Sequence, residues 1–320
     1  MIDFIEITKH LQGKDKPFLG HLQPEAVYSS GWQTYSITGC ENMELRVNET
    51  TGLMNLKGSV MYFWKGHNFT FSKVEFIEGI KYLENLIRLP LFDATVDKFE
   101  YGTIIQTEKK PKEYIQHHRE GKGMKLYSNP KDKGHFKAFS DTNTRLKMYD
   151  ASRNIKMKQG LHRQQIIAEA GWTSSGNFLK WEAHYLKPHI ILNKGIGIRL
   201  ADLVNPNWEN IFKEDLYLQY QRLIPMKSLI IPIHKKDLTT QDIQTRFNAE
   251  RGINEGMTLE EIRKEMYQYI NSLPDEVLSK ADKDHRKRQT KAILDKLKLA
   301  DKSQWDLSDK LAEALHNTGS

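Results

Sequence analysis

Up to Pro232 stretches that repeat every second residue recur among helical ones, and after it only a repeat of three to four remains; no single layer of structure serves both periods. Met43-Glu44-Leu45-Arg46-Val47 and Phe178-Leu179-Lys180-Trp181-Glu182-Ala183-His184 alternate as half-buried strands do. Strands of that kind suit antiparallel sheets with two different faces. The sequence therefore predicts an α+β protein. An antiparallel-sheet core spans residues 1–235 and a helical C-terminal extension spans 236–320.

Local signals subdivide these parts. Asn48 to Gly52 reads as a turn, and Leu53 to Trp64 as the returning strand of a hairpin, with Gly58 as a bulge. Phe76 to Leu89 has helical spacing and stops at Pro90. Val96–Ile105, Met124–Tyr127 and Arg145–Tyr149 read as strands. Lys112–His118, His162–Ala170 and Asn207–Arg222 read as helices. In the extension, Asp237–Asn248, Thr258–Leu273, Pro274–Leu299 and Asp306–His316 are predicted helices. Thr258 and Glu261 have capping-box spacing, and Pro274 suits a first helical turn.

Composition narrows the partners. Lys and Arg number 48 against 41 acids, a formal charge of +7, which favours polyanions. Cys40 is the one cysteine, so an intramolecular disulfide and a cysteine-cluster zinc site are excluded, and a lone thiol fits a reducing cytoplasm. The start of the chain lacks the basic-then-apolar pattern of a signal peptide. No stretch approaches the roughly 18 apolar residues of a membrane span. The chain also has no Gly-x-x-x-x-Gly-Lys-Ser/Thr, no Gly-x-Ser-x-Gly and no His-hydrophobic-His pair.

Strand-borne acids carry the candidate chemistry. Glu100 shares a strand face with Val96 and Lys98; Glu182 shares one with Phe178, Lys180 and His184. A carboxylate on a core strand needs a partner, and two such strands side by side make a hard oxygen site for Mg²⁺ or Mn²⁺. Tyr149 ends the strand Arg145–Tyr149, near Lys147, Arg153 and Lys156. Its hydroxyl becomes a nucleophile only when a cation or base draws off its proton. His117-His118 read as solvated members of a basic patch. That patch runs from Lys109 to Lys137, interleaved with Tyr114, Tyr127 and Phe136, a composition that grips phosphates and stacks on bases.

In their order these pieces resemble the filamentous-phage replication initiators, the phage and plasmid replication protein II/X family. Staphylococcal-type plasmid Rep proteins are more distantly similar. The likeness rests on Met1-Ile2-Asp3, Lys65-Gly66-His67-Asn68-Phe69, Ala94 to Glu100, Leu146-Lys147-Met148-Tyr149-Asp150 and Leu179-Lys180-Trp181-Glu182-Ala183, followed by Tyr185-Leu186-Lys187. It covers roughly residues 1 to 200. The resemblance implies rolling-circle replication. One DNA strand is nicked at an origin through a tyrosine that keeps the 5′-phosphate, with a divalent metal, Mg²⁺ or Mn²⁺, and is later rejoined. It assigns Tyr149 as nucleophile and Glu100 and Glu182 as metal or acid–base groups. The family's aspartate is Glu100 here, and the lysine expected after Tyr149-Asp150 is Ala151. Tyr127 and Tyr185 stand as alternative nucleophiles.

The expected partners are single- and double-stranded origin DNA, with host replication proteins, in a prokaryotic cytoplasm. The expected DNA contacts are Lys109, Lys110, Lys112, Arg119, Lys122, Lys125, Lys147 and Lys156. Lys280, Lys283, Lys287 and Lys291 form a basic helical stripe suited to duplex phosphates. The alternative reading is an initiator or regulator that binds DNA without cutting it.

Overall fold

Alternation in the first part produces a sheet, and its register decides which side chains meet. A computed structural model describes residues 1–13, 22–37, 39–40, 42–158, 161–191, 197–230, 232, 238–300 and 303–317. The strands are β1 (Ile2–His10), β2 (Gln23–Val27), β3 (Trp32–Ser36), β4 (Met43–Asn48), β5 (Leu53–Gly58), β6 (Thr95–Gln106), β7 (His118–Gly121), β8 (Lys125–Tyr127), β9 (Phe136–Ser140), β10 (Thr144–Asp150), β11 (Phe178–Tyr185) and β12 (Leu223–Pro225). Among the described residues, ten of them form one sheet in the order β2-β3-β4-β5-β1-β6-β11-β10-β9-β8. Every neighbouring pair in it is antiparallel. The fold is α+β with a helical C-terminal extension.

The helices between the strands are α1 (Val60–Lys65), α2 (Lys73–Ile87), α3 (Pro111–His117), α4 (Ala151–Lys158), α5 (Leu161–Glu169), α6 (Pro188–Ile191), α7 (Leu200–Leu203) and α8 (Pro206–Gln221). The strand expected over Leu53 to Trp64 is half right, because it ends at Gly58 and α1 begins at Val60. Local chemistry explains the switch. Ser59 caps α1 by accepting from Tyr62 N–H, and Gly66 closes it in the left-handed region at φ 75°. Gly58 marks a close approach rather than a bulge: at φ 152°, a Cβ there would lie 2.1 Å from the Asn42 carbonyl oxygen.

The extension holds α9 (Thr240–Asn254), α10 (Leu259–Ser272) and α11 (Lys280–Leu294), followed by α12 (Ser308–Asn317). Residues 235 and 236, the expected boundary, lie outside the described residues. The compact units divide between Ile224 and Pro225, and again after Asp306. Residues 307 to 320 belong to the first unit, where α12 packs on β6 and α8. The second unit, Pro225–Asp306, is centred on Leu229, Ala249, Ile253, Ile262, Leu294 and Leu297. Capping boxes open three of its helices, at Thr239/Asp242, Thr258/Glu261 and Ser279/Asp282. Pro274 precedes the last of these instead of starting it. Lys283 of the basic stripe is buried and pairs with Asp275 at 2.6 Å, while Lys287 and Lys291 pair with Asp284 and Asp295.

One face of the central sheet is aromatic and sealed by α8. Phe99 and Tyr101 pack on Phe212 at ring separations of 5.0 and 5.5 Å. Trp181 packs edge-on against Tyr220 and donates to the Leu216 carbonyl. Each such side chain contributes roughly 1.5–3 kcal/mol by leaving water. Cys40 is buried too, and burial pushes its thiol up to about 12, so it acts as core filling.

Candidate functional site

The opposite face carries the charges. In register, Lys147 of β10 lies beside Glu182 of β11, which lies beside Gly102 of β6. One step along, Tyr149 lies beside Lys180; in the other direction, His184 lies beside Glu100. Gly102 makes this packing achievable, because a Cβ there would sit 2.7 Å from Glu182 Cβ. Strand β1 adds Asp3. Ile2 pairs with Tyr101 but Ile5 pairs with Phe99, so β1 holds one extra residue at this point, and such irregularities re-aim side chains.

Asp3, Glu100 and Glu182 are all buried, and one carboxylate oxygen from each lies within 4.8 Å of the others. Two lysines share them. Lys180 pairs with Asp3 and lies 3.6 Å from Glu182; Lys147 pairs with Glu100 and lies 3.9 Å from Glu182. His184 approaches Glu100 at 2.9 Å through Nδ1. Asn68 and Ser59 donate to Asp3 Oδ1. The Tyr149 hydroxyl donates to Glu182 Oε2 at 2.8 Å.

Glu182 and Glu100 do not titrate alike. Burial pushes Glu182 up to about 7, helped by the neighbouring charges of Glu100 and Asp3 and opposed by Lys180. Burial also acts upward on Glu100, but hydrogen bonds from His184 and Lys147 outweigh it and hold it at about 2. Burial lowers Lys180, yet Asp3 and Glu182 overcome this and keep its ammonium charged. Tyr149 is raised well above 10, first by burial and then by Glu182. The tyrosine is thus protonated at rest, and its hydroxyl proton is directed at Glu182.

The site fits a hard divalent cation. One oxygen from each of three buried carboxylates lies within 4.8 Å of the others, and carboxylates are the donors such ions prefer. A bound cation would take over charge balance that Lys147 and Lys180 otherwise provide.

The group opens on a cleft of about 790 Å³, whose wall includes Asn68, Lys147, Tyr149, Glu182, His135 and Arg153. Tyr149, Glu100 and Glu182 are therefore brought together. Asp3 went unassigned in the sequence, because a lone acid on a shifted strand has no pattern. Ala151, in place of the expected lysine, is buried against Phe69, Ile104 and Ile155, and Lys180 supplies an ammonium beside Tyr149 instead. Tyr185 faces the other way and donates to Asp215 at 2.7 Å, which removes it as a nucleophile for this site. Tyr127 stands exposed on β8 against Phe136.

The basic segment divides. Lys110, Arg119, Lys122, Lys125 and Lys156 are exposed, and Lys109 and Lys112 are half-buried. Lys147 belongs to the acid cluster. Lys137 donates to the carbonyls of Gln116 and His118, and burial lowers it to about 8. His118 is not solvated: its Nδ1 donates to the Tyr114 carbonyl, and Nε2 meets the Tyr220 hydroxyl in the core. His117 is half-buried and bonds the Glu113 carbonyl.

No described helix is long and apolar enough to cross a membrane. Comparison with family models, curated proteins and solved structures finds no match to this chain.

Proposed function

We propose that this protein is a rolling-circle replication initiator that nicks and rejoins one DNA strand through Tyr149, in the cytoplasm of a prokaryotic cell. The observation that carries the reading is the Tyr149–Glu182 hydrogen bond, inside a cleft whose wall includes Lys147 and Arg153 and beside three buried carboxylates. Tyr149 Oη attacks the phosphorus as its proton passes to Glu182 Oε2. Lys147 and Lys180 offset charge as it develops, and Arg153 holds a non-bridging oxygen. The P–O3′ bond breaks, leaving a 5′-phosphotyrosine and a free 3′ end. Asp3, Glu100 and Glu182 would hold Mg²⁺ or Mn²⁺, which would supply Lewis-acid polarisation of the phosphate. The tyrosyl ester keeps the bond energy, so rejoining needs no ATP, in keeping with a sequence that has no Gly-x-x-x-x-Gly-Lys-Ser/Thr. Exposed Lys110, Arg119, Lys122, Lys125 and Lys156 grip the DNA backbone.

A second reading, DNA binding without cleavage, draws on Lys147 and Lys180 already occupying the carboxylates. One experiment separates the two. The protein is incubated with Mn²⁺ and a 3′-labelled, random-sequence single-stranded DNA library, then run on a denaturing gel. Label travelling with wild-type protein, and none with Tyr149→Phe, is the expected result. Retarded DNA on a native gel with no denaturation-stable adduct supports the non-cutting binder instead.

A further inference from the structure

Resting on that reading, we infer that His135, held by Asp150, is the proton donor to the leaving 3′-oxygen and takes the proton back when the strand is rejoined. The reading above gives the attacking oxygen a base but leaves the departing alkoxide without an acid. An expelled alkoxide is strongly basic, so a positioned donor lowers the barrier substantially.

His135 stands just before β9, across from the end of β10. Its carbonyl accepts from Asp150 N–H at 3.1 Å, which ties the two backbones together. Its Nδ1 lies 2.9 Å from Asp150 Oδ2. Asp150 cannot swing away, because Oδ1 caps α4 by accepting from Arg153 N–H at 2.9 Å. In the imidazolium form, with Nδ1–H donated to the Asp150 carboxylate, the proton available for transfer is the one on Nε2. Among the described residues Nε2 has no partner. The ring is one-quarter exposed (25%) and lines the same cleft as Tyr149 and Glu182. The charged groups sharing that wall are Asp132, Lys147, Asp150, Arg153 and Glu182. Arg153 is steered by its bond to the Asp132 carbonyl.

The step balances. The Tyr149 oxygen–phosphorus bond forms and the P–O3′ bond breaks. The tyrosine proton goes to Glu182, and the Nε2 proton goes to the 3′-oxygen. Rejoining reverses each transfer. Asp150 is a positioning residue: it fixes the ring and never meets the DNA.

Two substrates of the sequence captured by the wild-type protein test this. One has the natural 3′-oxygen at the scissile position and the other a bridging 3′-sulfur, whose thiolate leaves without a proton. His135→Ala should slow adduct formation on the oxygen substrate by about 10²–10⁴-fold, the usual worth of a general acid, and on the sulfur substrate by less than about threefold. His135→Gln, which keeps more of the side chain's volume, should behave alike, and thermal melts check that both variants fold. Asp150→Asn retains a capping oxygen and should show the same selective loss at smaller size. Equal slowing of both substrates by folded His135 variants overturns the proton-donor role while nicking stands. No adduct from wild type on either substrate overturns the nicking reading itself.

Discussion

Strands β6 and β11 face two ways, and their two faces obey different rules. Toward α8 they present Phe99, Tyr101, Trp181 and Tyr185; toward the cleft, Glu100, Gly102, Lys180 and Glu182. The aromatic face is stabilised by area removed from water, which is permanent and exchangeable with nothing. The charged face is buried nearly as deeply but is held by ion pairs, whose attraction barely offsets desolvation. Pairs of that kind can trade partners with a cation or a phosphate. One face therefore holds the sheet and the other is free to do chemistry, and alternation along a strand keeps them apart.

The sharpest test of that division is Tyr149→Phe. It should abolish the covalent DNA adduct, yet change stability by only about 1 kcal/mol, because one hydrogen bond is lost. An adduct that persists on a denaturing gel directs attention to Tyr127. Next in size, Trp181→Ala on the aromatic face should cost about 3–5 kcal/mol in denaturant unfolding. A cost below about 1 kcal/mol would mean that α8 does not seal that face.

Glu182→Gln reaches across the comparison. Burial raises the folded-state value of Glu182 to about 7, above its ordinary 4.5. Folded protein therefore holds this proton more tightly than unfolded chain does. The group's stabilising contribution is complete below about 4.5 and is lost as pH rises through about 7. Glu182→Gln should thus raise the Tm of metal-free protein at pH 8, where the wild-type contribution is lost, and not at pH 4. It should also remove the Tm increase that Mn²⁺ gives wild type. A lower Tm in the variant would show that Lys180 and Lys147 hold Glu182 ionised. Smallest of all, Tyr185→Phe should cost about 1 kcal/mol through the lost Asp215 bond and leave the adduct rate unchanged.

Truncation at residue 235 does not isolate the extension, because it strips α12 from β6 and α8. Excising residues 225–306 tests the second unit more cleanly. With Lys283 buried and Lys287 and Lys291 paired, that excision should flatten the salt dependence of duplex binding only slightly.

Much of the site was legible because strands have a strict period. Glu182 and Lys180 fall on one face by spacing alone, and so does Glu100 with Lys98. The Leu53–Trp64 run misled because Tyr62, Phe63 and Trp64 favour strands, although the Ser59 cap and Gly66 stop were there to be read. His118 misled because surface and core histidines look alike until Tyr220 arrives from α8. His135 carries no signal at all in its glycine-flanked loop.

The sequence by itself determined the two periods, hence a sheet followed by helices, and the sorting of each strand's residues between two faces. It also determined the capped starts of the extension's helices, which depend on residues three apart. Only the tertiary structure decided that β1 lies between β5 and β6, that β11 lies beside β6, and that a shift in β1 turns Asp3 toward Glu100 and Glu182. Strand order is set by hydrogen bonds between segments some hundred residues apart. Backbone groups are the same in every residue, so no local pattern of side chains records which strand will be the neighbour.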